Sequence, residues 1–151
     1  MNITEILSPE CVQVPLLATE KVAAITELVD LLAAQGQLNN RDVVLKAVLQ
    51  REQTRSTGIG QGLAVPHGKC SGCTHLTMAM GKAQTPIDFG SNDGRPCKLI
   101  VLLASPIDKT GPHIQALARI SRLWMTESFQ TEVAAAQTAQ ELYDAILRYQ
   151  G

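Results

Sequence analysis

Residues 55–73 read RSTGIGQGLAVPHGKCSGC and form the most distinctive stretch of the chain. They hold five of its eleven glycines, and glycine adopts backbone conformations that other residues avoid. Pro66 fixes its own φ and favours an extended Val65, so the residue that follows, His67, stands on a stiff backbone. The stretch therefore predicts a functional loop built around one histidine.

Two amphipathic helices are predicted before this loop, preceded by a brief strand over residues 11–16. The first helix has Thr19 as its predicted N-cap and ends near Gly36. The second follows an Asn40 cap and runs to about Glu52. Their predicted apolar stripes are Val22, Ile25, Leu28, Val29 and Leu32 in the first, and Val43, Val44, Ala47 and Val48 in the second.

Strands and further helices are predicted after the loop. Alternation over residues 74–83 indicates a half-buried strand, and the apolar run 99–104 indicates a central strand buried on both faces. Helical spacing then begins at Gly111-Pro112, and two shorter helices follow around 129–136 and 139–149. This order predicts an α/β domain in which helices cover both faces of a small sheet, and 151 residues suit a single domain, 1–151.

His67 is the first candidate for chemistry. Imidazole has an ordinary pKa of about 6.5, so near neutral pH much of it is uncharged and has a free lone pair. It can then accept a phosphoryl group directly. The glycines on either side let main-chain groups approach phosphate oxygens, and we predict that Thr57, Gly60 and Gly62 belong to this phosphate-binding loop.

His113 and Arg51 are the supporting candidates. Gly111-Pro112 places His113 in the first turn of a helix, where free N–H groups and the helix dipole favour negative charge. Arg51 lies at the end of the second predicted helix, just before the loop, where its guanidinium can point at phosphoryl oxygens. A solvated surface charge is the alternative role for Arg51.

Other site types fit this stretch less well. The glycine spacing matches neither a P-loop nor the GxGxxG of a dinucleotide fold, so no nucleotide cofactor is expected. His67, Cys70, Cys73 and His75 are four potential zinc ligands within nine residues. Structural zinc sites usually draw ligand pairs from separated segments, so we expect no metal. A redox role for the Cys70/Cys73 pair stays open.

Composition excludes several classes of partner. The net charge is −1 and the 13 basic residues are scattered, which disfavours nucleic acid. The N-terminus lacks signal-peptide features, and no apolar run approaches the roughly 18 residues of a membrane span, so we expect no membrane insertion and a cytoplasmic location. The four cysteines are then expected to be reduced thiols.

The chain resembles the enzyme IIA proteins of the bacterial phosphoenolpyruvate-dependent phosphotransferase system, of the mannitol/fructose class, and looks most like their nitrogen-regulatory branch. The stretches that carry the resemblance cover nearly the whole chain, and TGIGxGxAxPHGK is the most specific of them. They are LSPE (7–10), REQTRSTGIGQGLAVPHGK (51–69), TPIDF (85–89), DGRPCKLIVLLASP (93–106), PHIQALARIS (112–121) and AAQTAQELYDAI (135–146).

The resemblance implies a three-layer α/β/α fold with a small mixed sheet, in a single enzyme IIA type-2 domain. It implies that Nε2 of His67 is phosphorylated by an HPr-like phosphocarrier protein, with His113 and Arg51 supporting the phosphoryl group. In the nitrogen-regulatory branch the phosphorylation state regulates target proteins. The alternative is a sugar-specific enzyme IIA that passes phosphate to a separate IIB component. A non-catalytic binding module is disfavoured because His67, His113 and Arg51 are all present. The family pattern gives no role to Cys70 and Cys73.

Overall fold

The computed structural model describes residues 1–150, which form six strands and five α-helices after two short 3-10 turns. The strands are β1 Val12–Leu16, β2 Gly58–Gly60, β3 Leu63–Ala64, β4 His67–Lys69, β5 Thr77–Ile87 and β6 Cys97–Ser105. The helices are α1 Lys21–Ala34, α2 Arg41–Thr54, α3 Thr110–Trp124, α4 Glu127–Ala135 and α5 Ala139–Tyr149.

The predicted helices all form, with one corrected cap. Glu20, not Thr19, caps α1, because its carboxylate accepts the N–H groups of Val22 and Ala23. Asn40 caps α2 as predicted, accepting the N–H of Val43 at 3.2 Å. Gly36 follows α1 with a φ of +72°, a conformation that glycine adopts without a Cβ clash.

The sheet is mixed and has the order β1-β5-β6-β3-β2, with β4 also paired to β6. Strand β6 runs antiparallel to β5 and parallel to β3 and β4. Its residues from Leu99 to Ala104 are fully buried, which confirms the prediction of a central strand.

Helices cover both faces of this sheet. Helices α1 and α2 pack against each other, with α1 on β5 and β6 and α2 on β4. Helices α3, α4 and α5 pack in series, with α3 on β6 and α5 on β1. The three-layer α/β/α architecture is therefore confirmed. None of the helices within residues 1–150 combines the length and the apolar character that crossing a bilayer requires.

The glycine-rich stretch is more ordered than the sequence predicted. We expected a loop, but three short strands, β2, β3 and β4, lie within it. Strands β3 and β4 both add to β6, which lies some thirty residues further along the chain. The backbone pairing that orders the stretch is therefore non-local, and the local glycine pattern does not reveal it.

Gly72 closes the turn after β4 against the start of α2. Its carbonyl oxygen accepts the N–H groups of Asn39 and Asn40 at 3.0 and 3.1 Å. A Cβ at this position would lie 2.7 Å from the Asn40 carbonyl oxygen and 2.8 Å from Cγ2 of Val44. Only glycine therefore fits this contact without movement of the helix.

We predict that Gly72→Ala lowers the free energy of unfolding by about 1–3 kcal/mol, the usual cost of overpacking. Urea denaturation measures it. The matched control is Gly111→Ala in α3, where no atom lies within 4 Å of an added Cβ. The control should keep or slightly raise stability, since alanine favours helix over glycine by up to about 1 kcal/mol. Equal stabilities for wild type and Gly72→Ala would contradict the prediction.

Candidate functional site

His67 is the first residue of β4 and is attached directly to the central strand. It pairs with Leu103 of β6, and the N–H of Leu103 donates to the Pro66 carbonyl oxygen at 3.0 Å. Proline has no N–H and a fixed φ, so the two residues before β4 have little freedom. The backbone under the imidazole is thus held by the most buried strand of the fold.

The ring of His67 is oriented by its own backbone. Nδ1 lies 2.7 Å from the carbonyl oxygen of Val65. A carbonyl oxygen only accepts hydrogen bonds, so Nδ1 must carry the proton. In the neutral ring Nε2 is then the nitrogen with the free lone pair.

A chain of hydrogen bonds holds Val65 in turn. The buried carboxylate of Glu52 accepts the N–H of Thr57 at 2.8 Å and its hydroxyl at 2.5 Å. The Thr57 carbonyl oxygen accepts the N–H of Val65 at 3.1 Å. Lys21 neutralises the carboxylate of Glu52 through an ion pair of 3.3 Å.

Glu52 is a residue that the sequence interpretation missed. The signal was present, because Glu52 continues the four-residue spacing of Val44 and Val48 along the buried face of α2. A carboxylate on a buried face requires a partner. Thr57 and Lys21 are those partners here.

His113 lies beside His67 at the start of α3, as predicted. The two ring centroids are 5.3 Å apart and the ring planes are inclined at 62°. His113 is only 5% exposed, and its Nδ1 lies 2.5 Å from the hydroxyl oxygen of Ser105, the last residue of β6. Ser105 is a second residue that sequence interpretation missed, and its signal is a polar residue ending a wholly apolar run.

Burial keeps both rings uncharged. Desolvation lowers the pKa of His67, and the positive charge of Arg51 lowers it further, against the opposing effects of the Val65 hydrogen bond and of Glu52. Desolvation lowers the pKa of His113 to about 4, with smaller contributions from His67 and Lys69. At neutral pH the site therefore contains two neutral imidazoles.

A cavity of about 370 Å³ opens beside His67 and brings three predicted residues together. His67, Arg51 and Thr57 all line it. Arg51 is half-buried and Nη1 donates to the Arg55 carbonyl oxygen at 2.8 Å, which leaves other N–H groups of the guanidinium free to bind an anion. Arg55 also lines the cavity, so its walls carry two positive charges.

Gly60 and Gly62 do not line this cavity. They have φ values of +100° and +91° and form the turn between β2 and β3. The hydroxyl of Thr57 is bound to Glu52, so its place in the site is fixed by that bond. Direct phosphate contact by these three residues stays a prediction.

The four potential zinc ligands do not come together. Cys70 and Cys73 are buried thiols, whereas His75 is exposed, with Nε2 at 2.9 Å from Oε1 of Gln37. Desolvation raises the pKa of Cys73 to about 12, and the adjacent Cys70 raises it too. Among residues 1–150, no group of three His, Cys, Asp or Glu side chains is arranged to hold a metal ion.

Comparison with known families assigns the chain. Residues 5–149 match the family profile described as "Phosphoenolpyruvate-dependent sugar phosphotransferase system, EIIA 2". The chain belongs to this family. The resemblance to EIIA proteins is thereby confirmed, and the chain is an EIIA-type protein of the phosphotransferase system.

Two relatives at equal identity represent two branches of the EIIA 2 family. The chain is 34% identical over 146 residues to the "Nitrogen regulatory protein" of Bradyrhizobium diazoefficiens, covering 97% of this chain and 95% of that protein. It is also 34% identical over 146 residues to the "PTS system fructose-specific EIIABC component" of Bacillus subtilis. That match covers 97% of this chain but 23% of the larger protein, so the chain corresponds to one part of it.

Solved structures of EIIA proteins have the same fold. The crystal structure of the nitrogen regulatory protein IIA-Ntr from Neisseria meningitidis matches with a TM-score of 0.83 and 27% identity, covering 95% of this chain and 98% of that one. The Escherichia coli complex of enzyme IIAMTL and phosphorylated enzyme IIBMTL contains a chain that matches with a TM-score of 0.81 and 19% identity. The match covers 95% of this chain and 99% of the mannitol chain, so the two share the mannitol-type fold.

The low pKa of His113 predicts a pH dependence of stability. Between the unfolded pKa of 6.5 and the folded value of about 4, the unfolded chain binds a proton that the folded chain does not. The contribution of neutral His113 to the free energy of unfolding is therefore fully present above about pH 6.5. It is lost progressively as the pH decreases toward 4. From pH 7 to pH 5 the loss should be about 2 kcal/mol.

Urea denaturation of the wild type and of His113→Gln at several pH values measures how much of the pH dependence of stability comes from His113. Other titrating groups are common to both proteins, so the difference between them reports on His113 together with its coupling to the neighbouring His67 and Lys69. The His113→Gln variant should lose less stability between pH 7 and pH 5. The same pH dependence in both proteins would refute the buried, neutral state of His113.

Proposed function

We propose that this chain accepts a phosphoryl group on Nε2 of His67 from a phosphorylated HPr-like carrier protein in the cytoplasm. Its phosphorylation state would then regulate partner proteins. The observation that carries the proposal is the 2.7 Å hydrogen bond between Nδ1 of His67 and the Val65 carbonyl oxygen. It places the ring proton on Nδ1 and leaves the lone pair on Nε2.

This tautomer makes the transfer simple in chemical terms. The lone pair of Nε2 forms the new N–P bond while the N–P bond of the donor breaks, and that electron pair stays on the donor nitrogen. No proton has to leave Nε2, because Nδ1 already carries the ring proton. Transfer between two histidines is reversible, and it depends on in-line positioning and charge stabilisation.

Arg51 and His113 are suited to hold the three equatorial oxygens. The guanidinium of Arg51 lines the cavity with His67 and has free donors after its bond to Arg55. When the Ser105 hydroxyl donates to Nδ1 of His113, the ring proton lies on Nε2 and can bind a phosphoryl oxygen. Both groups act without a metal ion, in the manner of oxyanion stabilisation.

The regulatory role is supported by similarity along the whole chain to proteins named for nitrogen regulation. The Bradyrhizobium protein is matched over 95% of its length and over 97% of this chain. The alternative is a sugar-specific EIIA that passes phosphate to a IIB component. It is supported by the equal identity to the fructose-specific component and by the likeness to the chain that binds IIBMTL.

The three histidines of the chain allow a complete test of the acceptor. We predict that phosphoenolpyruvate, enzyme I and an HPr-type carrier give one acid-labile phosphoryl adduct by intact mass. His67→Ala should abolish the adduct. His113→Ala should slow its formation by about a hundredfold, the usual cost of losing one oxyanion donor, yet still reach the same product.

His75→Gln is the matched control, because His75 is exposed and bound to Gln37, away from the cavity. Its labelling should equal that of the wild type. Normal labelling of His67→Ala, or an adduct mapped to another residue, would overturn the assignment.

A transfer experiment separates the two roles. The phosphorylated chain is mixed with the B part of the fructose-specific EIIABC component of Bacillus subtilis, and the phosphoryl group is followed by mass. A regulatory protein should transfer slowly or not at all. Transfer as fast as from the A part of that same component would favour the sugar-specific role.

A further inference from the structure

A second cavity, of about 280 Å³, lies between the β2–β3 turn, strands β5 and β6, and helices α3 and α4. None of the residues that line it lines the cavity of His67. Its volume is slightly below the usual range for ligand pockets, roughly 300–1,000 Å³. A small ligand is therefore the relevant class.

The polar side of this cavity carries positive charge and amide groups. Lys82 and Lys98 line it together with Gln61, Gln84 and Gln130, and no carboxylate is among the lining residues. The two lysines can neutralise and hydrogen-bond an anion, whereas the amide of Gln130 already donates to Oε1 of Gln61 and to the Trp124 carbonyl oxygen. A cation would find only neutral acceptors there.

Lys82 is fixed in place and still has a donor. Its ammonium donates to the carbonyl oxygens of Ala134 and Ala136 at 2.7 and 2.6 Å. An ammonium has three N–H groups, so one remains for a ligand. Desolvation lowers the pKa of Lys82, an effect that the charge of Glu141 opposes. A bound anion would compensate part of that desolvation.

Lys98 lies on β6, the strand that pairs with β5, where Lys82 lies. Its stem passes over Gly62, where an added Cβ would lie 3.6 Å from Cγ and 3.8 Å from Cδ of Lys98. Lys98 is exposed, and none of the four ion pairs within residues 1–150 involves it. Its charge is therefore available to an occupant of the cavity.

The remaining wall is apolar. Val133, Ala134, Ala83 and Pro86 line it together with Trp124. The Nε1–H of Trp124 donates to the Gln61 carbonyl oxygen at 3.1 Å, so the one donor of the indole is already used. Trp124 can therefore offer the cavity only carbon surface.

We propose that this cavity is a binding site for a small monocarboxylate with a compact apolar body. Lys82 and Lys98 would meet the carboxylate, and the wall formed by Trp124, Val133 and Ala134 would cover the apolar part. A phosphate or a polyanion fits less well, because it would leave the apolar half of the lining exposed to water. The site is independent of phosphoryl transfer on His67.

Trp124 is the only tryptophan of the chain, so its fluorescence reports on the cavity directly. The probes are cyclohexanecarboxylate and 4-methylpentanoate, which do not absorb near the indole band, and their uncharged amides are the controls. We expect a saturable change with each acid, accompanied by backbone amide shifts at Ala83 and Val133. The amides should bind at least about fivefold more weakly, because a charge-assisted hydrogen bond is lost.

Lys98→Gln should weaken binding of both acids at least about fivefold, for the same reason. Lys46→Gln, an exposed lysine of α2 outside the cavity, is the matched control and should bind as the wild type does. The proposal is overturned if neither acid gives a saturable change, if acid and amide bind equally, or if Lys98→Gln has no effect. Because the readout needs no phosphoryl donor, failure here is distinct from failure of the proposed function.

Discussion

The hydrogen bond from Nδ1 of His67 to the carbonyl oxygen of Val65 is the interaction on which the chemistry of this site depends. It decides which ring nitrogen can react, and it does so with backbone atoms rather than with a second titratable group. Val65 is itself held by Thr57, and Thr57 by the buried carboxylate of Glu52. The orientation of the imidazole is thus linked to helix α2 through the hydrogen bonds that join Val65 to Thr57 and Thr57 to Glu52.

Strand β6 provides the other half of the support. Leu103 pairs with His67, and Ser105 at the end of the same strand contacts Nδ1 of His113. Both imidazoles are therefore supported by one strand that is buried from Leu99 to Ser105, and their ring centroids lie 5.3 Å apart. Burial also keeps both rings neutral, since desolvation is the largest cause of each lowered pKa. A rigid support and a low pKa have the same structural origin here.

Local patterns in the sequence predicted much of this arrangement. Apolar spacing located the helices and the central strand, and the chemistry of imidazole and guanidinium singled out His67, His113 and Arg51. In the structure, His113 lies beside His67, and Arg51 lines the cavity that His67 also lines. Non-local pairing limited the rest. Strands β3 and β4 depend on distant β6, so the glycine-rich stretch was predicted as a loop. Thr57 reaches the carboxylate of Glu52 because of the way the chain turns after α2. Local patterns do not determine that turn, so the hydrogen bonds between the two residues were not predicted.

The tautomeric state of His67 tests the proposed chemistry most directly, and two-dimensional ¹H–¹⁵N NMR of the imidazole nitrogens at neutral pH measures it. We expect a protonated Nδ1 and an unprotonated Nε2 in the unphosphorylated protein. A proton on Nε2 of the neutral ring would contradict it, because the proposed nucleophile would then lack its lone pair.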